Sequence, residues 1–184
     1  MSLDYISNEV KDLIKKYDET DPERLCKALD IHVKRKSFGT APDCFKGLFL
    51  YNRRIKCIVI NDDLPEPMQK VVLAHELGHC ILHLKSMPIA SFNDISLFDN
   101  TRLQEYEANI FASELLLPDE KVLEVLNEDS FFSEAASKLH VPQEMLDFKF
   151  RVLKRKGFKV NSPITAPANF LKSYQAGGIS SDFC

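Results

Sequence analysis

The sequence predicts an α+β fold in which a small antiparallel sheet packs against helices, with a helical appendage toward the C-terminus. Three observations carry this. Most of the chain shows apolar residues recurring at helical spacing. One segment, Gly47 to Asn61, reads as two short β-rich runs around a turn. A His-Glu-Leu-Gly-His run, residues 75–79, lies inside a long segment of helical period.

Leu3 to Tyr17 is expected to be a helix, because Leu3, Ile6, Val10, Leu13, Ile14 and Tyr17 fall close to a 3.6-residue period. Asp21-Pro22-Glu23 opens a second, short helix, with Asp21 as N-cap and proline at the first position, carrying Leu25, Cys26 and Leu29 inward. Ile31 to Lys36 alternates like a strand. Leu48 to Tyr51 and Ile55 to Ile60 are the two β runs, flanking Asn52-Arg53-Arg54 as a hairpin turn. The strand Ile55 to Asn61 could be a core strand or an edge that pairs with an extended peptide.

Glu66 to about Lys85 is a long helix, with Met68, Val71, Val72, His75, His79 and Leu82 on one face. Ser86 to Asn100 reads as irregular. Thr101 to Leu117 is helical and stops at Pro118; Pro118 to Asn127 begins another helix. Phe131 to Lys156 is helical with a break near His140-Val141-Pro142, and the Pro/Gly/Ser/Asn-rich tail from Val160 reads as loop. The organisation expected is a main domain over 1–127, a helical appendage over 128–159 and a tail over 160–184.

The bulk properties exclude several classes. The chain has 184 residues, 45% hydrophobic and 28% charged, a balance that allows a real core. A net charge of −3 gives no global reason to bind nucleic acid. No apolar run reaches the length of a membrane span, and Met1 to Lys16 lacks the apolar core of a signal peptide. The five cysteines are scattered and form no CxxC pair, which argues against a disulfide framework and a cysteine-rich metal site, and for a reducing, cytoplasmic setting.

The chemistry concentrates in His75-Glu76-Leu77-Gly78-His79, an HExxH motif. Residues four apart on a helix sit roughly 6 Å apart along its axis on one face, so two imidazoles can converge on one tetrahedral ion. The motif therefore predicts one bound Zn²⁺ with His75 and His79 as ligands. Glu76, beside the first ligand, is placed to act as general base toward a water whose pKa zinc lowers to about 7. Both histidines lie on an apolar face, where an imidazole without a partner is costly.

A third protein ligand is needed. His83 extends the series but lies about 12 Å along a straight helix from His75, and no glycine after Gly78 breaks the helix before it, so it reads as a capping, supporting or surface group. Glu105 and Glu107 are the alternatives. Glu107 shares an apolar face with Ala108, Phe111, Ala112 and Leu115 and is the favoured ligand. Glu105, nearer Tyr106 and Asn109, reads as solvated.

Three segments resemble the ImmA/IrrE family of metallo-endopeptidases: the strand and exit from Ile55 to Leu64; Val71 to His79 followed by Ile81-Leu82-His83; and Glu107-Ala108-Asn109-Ile110-Phe111-Ala112 leading to Leu115-Leu116-Leu117-Pro118. The resemblance covers roughly Leu48 to Pro118. It departs at Leu117, where the family usually has methionine. It implies an HExxH metallopeptidase-like core in an α+β fold, with His75, His79 and Glu107 as ligands and Glu76 as catalyst. It further implies a protein substrate, a helix-turn-helix repressor of phage or stress-response type.

Weaker signals remain. Ser133 to Lys156 has a helix-turn-helix look and is followed or lined by Lys149, Arg151, Lys154, Arg155, Lys156 and Lys159, which would suit DNA or merely the C-terminal end of a helix in a bundle. Direct nucleic-acid binding and membrane association are not expected. Tyr51, Tyr106, Tyr174 and His83 are candidate donors to a transition-state oxyanion. The competing readings are a metal-containing DNA-binding regulator and a protein that displaces a repressor without cutting it; a retained Glu76 argues against both.

Overall fold

A computed structural model describes residues 1–41, 44–84, 100–127 and 131–171, and the side chains of 100–102 are outside that description. Helix α1 (Leu3–Tyr17) starts where Ser2 Oγ accepts the Tyr5 N–H at 3.1 Å. It buries Ile6, Val10 and Leu13, the face its period marks. Helix α2 (Pro22–Ala28) begins as its sequence implies, with Asp21 accepting from the N–H groups of Glu23 and Arg24 at 3.0 and 3.1 Å.

Three strands follow: β1 (Ile31–Lys36), β2 (Gly47–Asn52) and β3 (Ile55–Asn61). β2 and β3 form the expected antiparallel hairpin, Asn52 opposite Ile55. Arg53 and Arg54 occupy the turn with φ of 47° and 71°, the left-handed pair a two-residue hairpin requires. The sheet is not wholly antiparallel, however. Its order is β1-β3-β2, and β1 pairs with β3 in parallel, Ile31 opposite Lys56. The reason is the route of the chain. β2 lies on the far side of β3 from β1, so the hairpin returns β3 alongside β1 and in the same direction.

Asn61, fully buried at the end of β3, holds that crossover. Its Oδ1 accepts from Phe38 N–H at 3.1 Å, and its Nδ2 donates to the carbonyls of Gly39 and Phe45 at 2.8 and 2.9 Å. β3 is therefore the central strand, not an edge. Cys57, Ile58, Val59 and Ile60 are buried on both faces, as a run with no polar alternation demands.

Helix α3 (Glu66–His83) lies on β2 and β3, and α4 (Asn100–Leu116) runs along its other side. The two helices approach closely at Gly78. A Cβ there would stand 3.1 Å from the Phe111 ring and 3.2 Å from the Ala108 backbone, so a larger residue would push the neighbours back by a few tenths of an ångström. Residues Val71 to Cys80 are all buried, because α3 is enclosed by sheet and helices.

The chain closes with α5 (Asp119–Leu126), α6 (Phe132–Lys138) and α7 (Gln143–Arg155). α6 and α7 meet at the expected break, with His140 left-handed at φ 56°. α7 packs on α4 and shares one core with it through Met145, Leu146, Phe148 and Val152.

Much of the basic character of this region is spent internally. Lys149, 1% exposed, pairs with Glu114 and with Asp119 at 2.6 Å. Lys156 reaches the same carboxylates at 3.1 and 2.7 Å. Arg151 pairs with Asp147 at 2.5 Å and Arg155 with Asp4 at 3.0 Å. Among the described residues no helix is long and apolar enough to cross a membrane. The irregular segment expected from Ser86 lies outside the described residues, and so does the tail beyond 171.

Candidate metal centre

The middle of α3 carries the site. His75 and His79, one turn apart, direct their Nε2 atoms to within 3.1 Å of each other, with the rings edge-on at 84°. From α4, Glu105 brings Oε2 to 3.3 Å from His75 Nε2 and Oε1 to 3.6 Å from His79 Nε2. Three ligand atoms of this kind converge within 4.8 Å. Bonds of about 2.0–2.1 Å at tetrahedral angles place ligand atoms roughly 3.3 Å apart. The contacts lie near that edge, with a different Glu105 oxygen toward each histidine, so the donor set has the size a small divalent ion such as zinc requires.

The carboxylate that reaches the pair is thus Glu105, whereas the sequence reading favoured Glu107. Glu107 is 4% exposed but is engaged elsewhere. One oxygen pairs with the backbone ammonium of Met1, and the other lies 3.7 Å from His83 Nε2. Two residues apart on a helix means about 200° of rotation, so the two carboxylates cannot serve one point. The apolar face could not choose between them, because α4 is enclosed by α3, α1 and α7 and is buried from Glu107 through Leu115 all round. Glu105, expected in solvent, has only 14% of its side chain exposed.

His83 stays outside the cluster and sets its ring against the Gln104 carbonyl at 3.3 Å. Burial draws its pKa down despite that carbonyl and the charges of Glu107 and Glu105. His75 shows the opposite balance: burial opposes protonation, but the Glu105 contact, the Glu76 and Glu105 charges and Asn109 outweigh it and raise the pKa.

Glu76 is buried at the start of β2 rather than in the ligand cluster. The Phe49 N–H donates to its carboxylate, and a Cβ on Gly47 would come within 3.3 Å of Cγ and Oε1. Burial pushes its pKa up to about 7, with His75 pulling it down, Glu105 pushing it up and the Phe49 bond lowering it. A carboxylate poised near neutrality beside a cation site is suited to take and return a proton.

Of the suggested oxyanion donors, Tyr106 is turned away, its ring 5.7 Å from that of Phe148 on α7. Tyr51 is half-buried on β2, and Tyr174 lies outside the described residues. Two participants escaped the sequence reading: the Phe49 N–H, which no pattern could reveal, and Asn109. The latter left a signal, since an amide inside Ala108-Asn109-Ile110-Phe111 has to satisfy its polar atoms somewhere in the core.

Comparison with known proteins follows this geometry. The model of the Peptidase_M78 family, described as IrrE N-terminal-like domain, matches residues 26–151. A protein of Bacillus phage phi105, "Uncharacterized immunity region protein 2", is 34% identical over 144 residues, 78% of this chain and 88% of its own length. "Metallopeptidase ImmA" of Bacillus subtilis (strain 168) is 29% identical over 148 residues, 78% of this chain and 83% of its own. An enclosed HExxH helix, a carboxylate converging on its histidines and a family match across both helices lead to one assignment: the chain belongs to the ImmA/IrrE family of metallopeptidases.

Proposed function

We propose that the protein is a zinc-dependent endopeptidase that cuts one specific protein, a helix-turn-helix repressor, in the cytoplasm. The observation that carries the chemistry is the convergence of His75, His79 and Glu105 next to Glu76, a buried carboxylate with its pKa raised to about 7. His75, His79 and Glu105 would hold the ion, and Glu107 would brace His83 one turn further on. When bound, zinc supplies Lewis acidity, polarising the scissile carbonyl and easing deprotonation of water.

The remaining work falls to the chain. Glu76 accepts the proton of the attacking water and delivers it to the departing amine, which keeps the two halves of the hydrolysis in proton balance. The Phe49 N–H keeps the carboxylate in one orientation, and the walls of β2 and α3 keep bulk water from it. β2 is an outer strand that begins beside the base, a suitable rail for an extended substrate segment. The repressor as substrate is supported by the phage relative whose printed name assigns it to an immunity region. Free thiols at Cys26, Cys44 and Cys80 suit a reducing compartment.

The test is substrate integrity. The zinc-loaded chain is incubated with the helix-turn-helix repressor encoded beside its gene, and the products are weighed by mass spectrometry. Two fragments whose masses sum to the repressor plus one water support the proposal. A repressor that leaves its operator intact and uncut would establish displacement instead.

A further inference from the structure

Asn109 is fully buried on the face of α4 that meets α3, and its two polar ends have different fates. Its Nδ2 donates to the carbonyl of Ala168 at 2.6 Å. That contact settles which way the amide points, because the reversed amide would press two oxygens together. The Ala168 carbonyl is itself held. Ala166 N–H donates to Asp147 at 3.1 Å, Arg151 donates to the Ala166 carbonyl at 2.8 Å, and Phe170 stacks on Phe148 at 5.7 Å. A strap of chain beyond α7 thus fixes the amide from behind.

The Oδ1 that remains is buried and finds no partner of full hydrogen-bond geometry among the described residues. The same holds for the Nδ1 of His75, on the opposing helix. His75 is committed on its other side, where Nε2 faces His79 and Glu105. An acceptor and a ring nitrogen, both sealed from water and both unspent, thus sit on two helices that pack together. The side chains of Asn109 and His75 make a contact of hydrogen-bond type. A small closure of the helices completes the bond, and leaving either group unmade is the costlier alternative.

We propose that Asn109 is a positioning residue for the metal centre: its Oδ1 accepts the Nδ1 proton of His75, so that Nε2 carries the lone pair presented to the ion. The inference rests on the zinc-site reading above. It adds that the ring tautomer and orientation of the first ligand are set by an amide anchored to the strap at Ala166–Phe170. Histidines that hold metals characteristically donate their second N–H in this way, and loss of the acceptor costs about 10–100-fold in metal affinity.

The experiment compares zinc affinity, by competition with a chromophoric chelator, in wild type, Asn109→Leu and Asn109→Asp, each first shown folded by circular dichroism. Asn109→Leu keeps the branched shape and removes the acceptor; it should bind zinc about 10–100-fold more weakly. Asn109→Asp keeps an acceptor toward His75 but sets its second oxygen against the Ala168 carbonyl; it should bind zinc more tightly than Asn109→Leu. A merely structural role would lower the stability of the metal-free forms without separating Leu from Asp in zinc affinity.

Wild-type affinity in Asn109→Leu, or equal losses in both variants, overturns the proposal. Should the leucine variant fail to fold, long-range ¹H–¹⁵N spectra of the zinc-loaded wild type decide. Nε2 metallated with a protonated Nδ1 on His75 supports the proposal, and metallation through Nδ1 overturns it. A wild-type chain that binds no zinc refutes the metal-site reading itself, whereas normal zinc binding with an indifferent Asn109→Leu refutes only this inference.

Discussion

Removing the charge of Glu76 should stabilise the metal-free protein, and by an amount that depends on pH. The carboxyl is buried, and its pKa rises from the ordinary 4.5 to about 7 on folding. Below pH 4.5 the folded and unfolded chains both carry the proton, so the group contributes no difference. Between the two values the unfolded chain has released its proton while the folded chain holds it. Stability therefore falls as pH rises. Above about 7 the folded state carries a desolvated charge and the full penalty applies. Each factor of ten in proton affinity is worth about 1.4 kcal/mol, so the interval from 4.5 to about 7 amounts to about 3 kcal/mol. Glu76→Gln mimics the protonated form at nearly constant volume. In the presence of a strong chelator it should unfold at higher denaturant than wild type at pH 8, by about 3 kcal/mol, and show little advantage at pH 5. Urea titrations of both proteins at the two pH values provide the measurement. A variant less stable than wild type at pH 8, or a difference that does not change with pH, would refute the claim that the base is held desolvated.

Four further outcomes follow from the contacts. Glu105→Ala should abolish stoichiometric zinc binding, read by metal analysis after dialysis, while Glu107→Ala should retain the ion and chiefly loosen the His83 end of α3; the reverse order would return the ligand role to Glu107. Lys149→Met leaves Glu114 buried with only Lys156 opposite, and breaking one partner of a buried pair costs about 3–5 kcal/mol. At the low end of that range, about 3 kcal/mol, the melting temperature should fall by about 6–12 °C; a drop of a degree or two would show the network to be incidental. The Asp119 arm of that network should fade in acid. Burial opposes its ionisation, but Lys149 and Lys156 outweigh burial and hold its carboxyl below the usual range, so its contribution is present above the unfolded pKa and lost as pH falls through the folded one. Duplex DNA should bind only weakly and with steep salt dependence, because Lys149, Arg151, Arg155 and Lys156 are already paired; sequence-selective nanomolar binding at physiological salt would contradict this.

The elements that were legible in the sequence are those with a local cause. α1 has its period, α2 its Asp21-Pro22 start, and the β2–β3 hairpin its two β-rich runs. The HExxH histidines needed only helical spacing to be paired. What escaped depends on partners far along the chain. The parallel β1–β3 pairing is decided by the placement of β2 beyond β3 and by Asn61, which the sequence showed only as the end of a strand. Lys149 looked like one cation in a basic run, yet it is buried against acids contributed by α4 and α5. The choice between Glu105 and Glu107 required the rotational phase of α4, and a helix enclosed on nearly every side has no single apolar face from which to read it.

The most direct test of the central claim is the rate at which the zinc-loaded chain and its Glu76→Gln variant cleave the same helix-turn-helix repressor. Glu105, His75 and His79 are untouched by the substitution, so zinc content should equal wild type. The amide cannot accept the water's proton, and general-base catalysis contributes about 10²–10⁴-fold. Cleavage should fall by at least that factor while the complex with uncut repressor persists. Cleavage at the wild-type rate by a fully zinc-loaded Glu76→Gln would contradict the account.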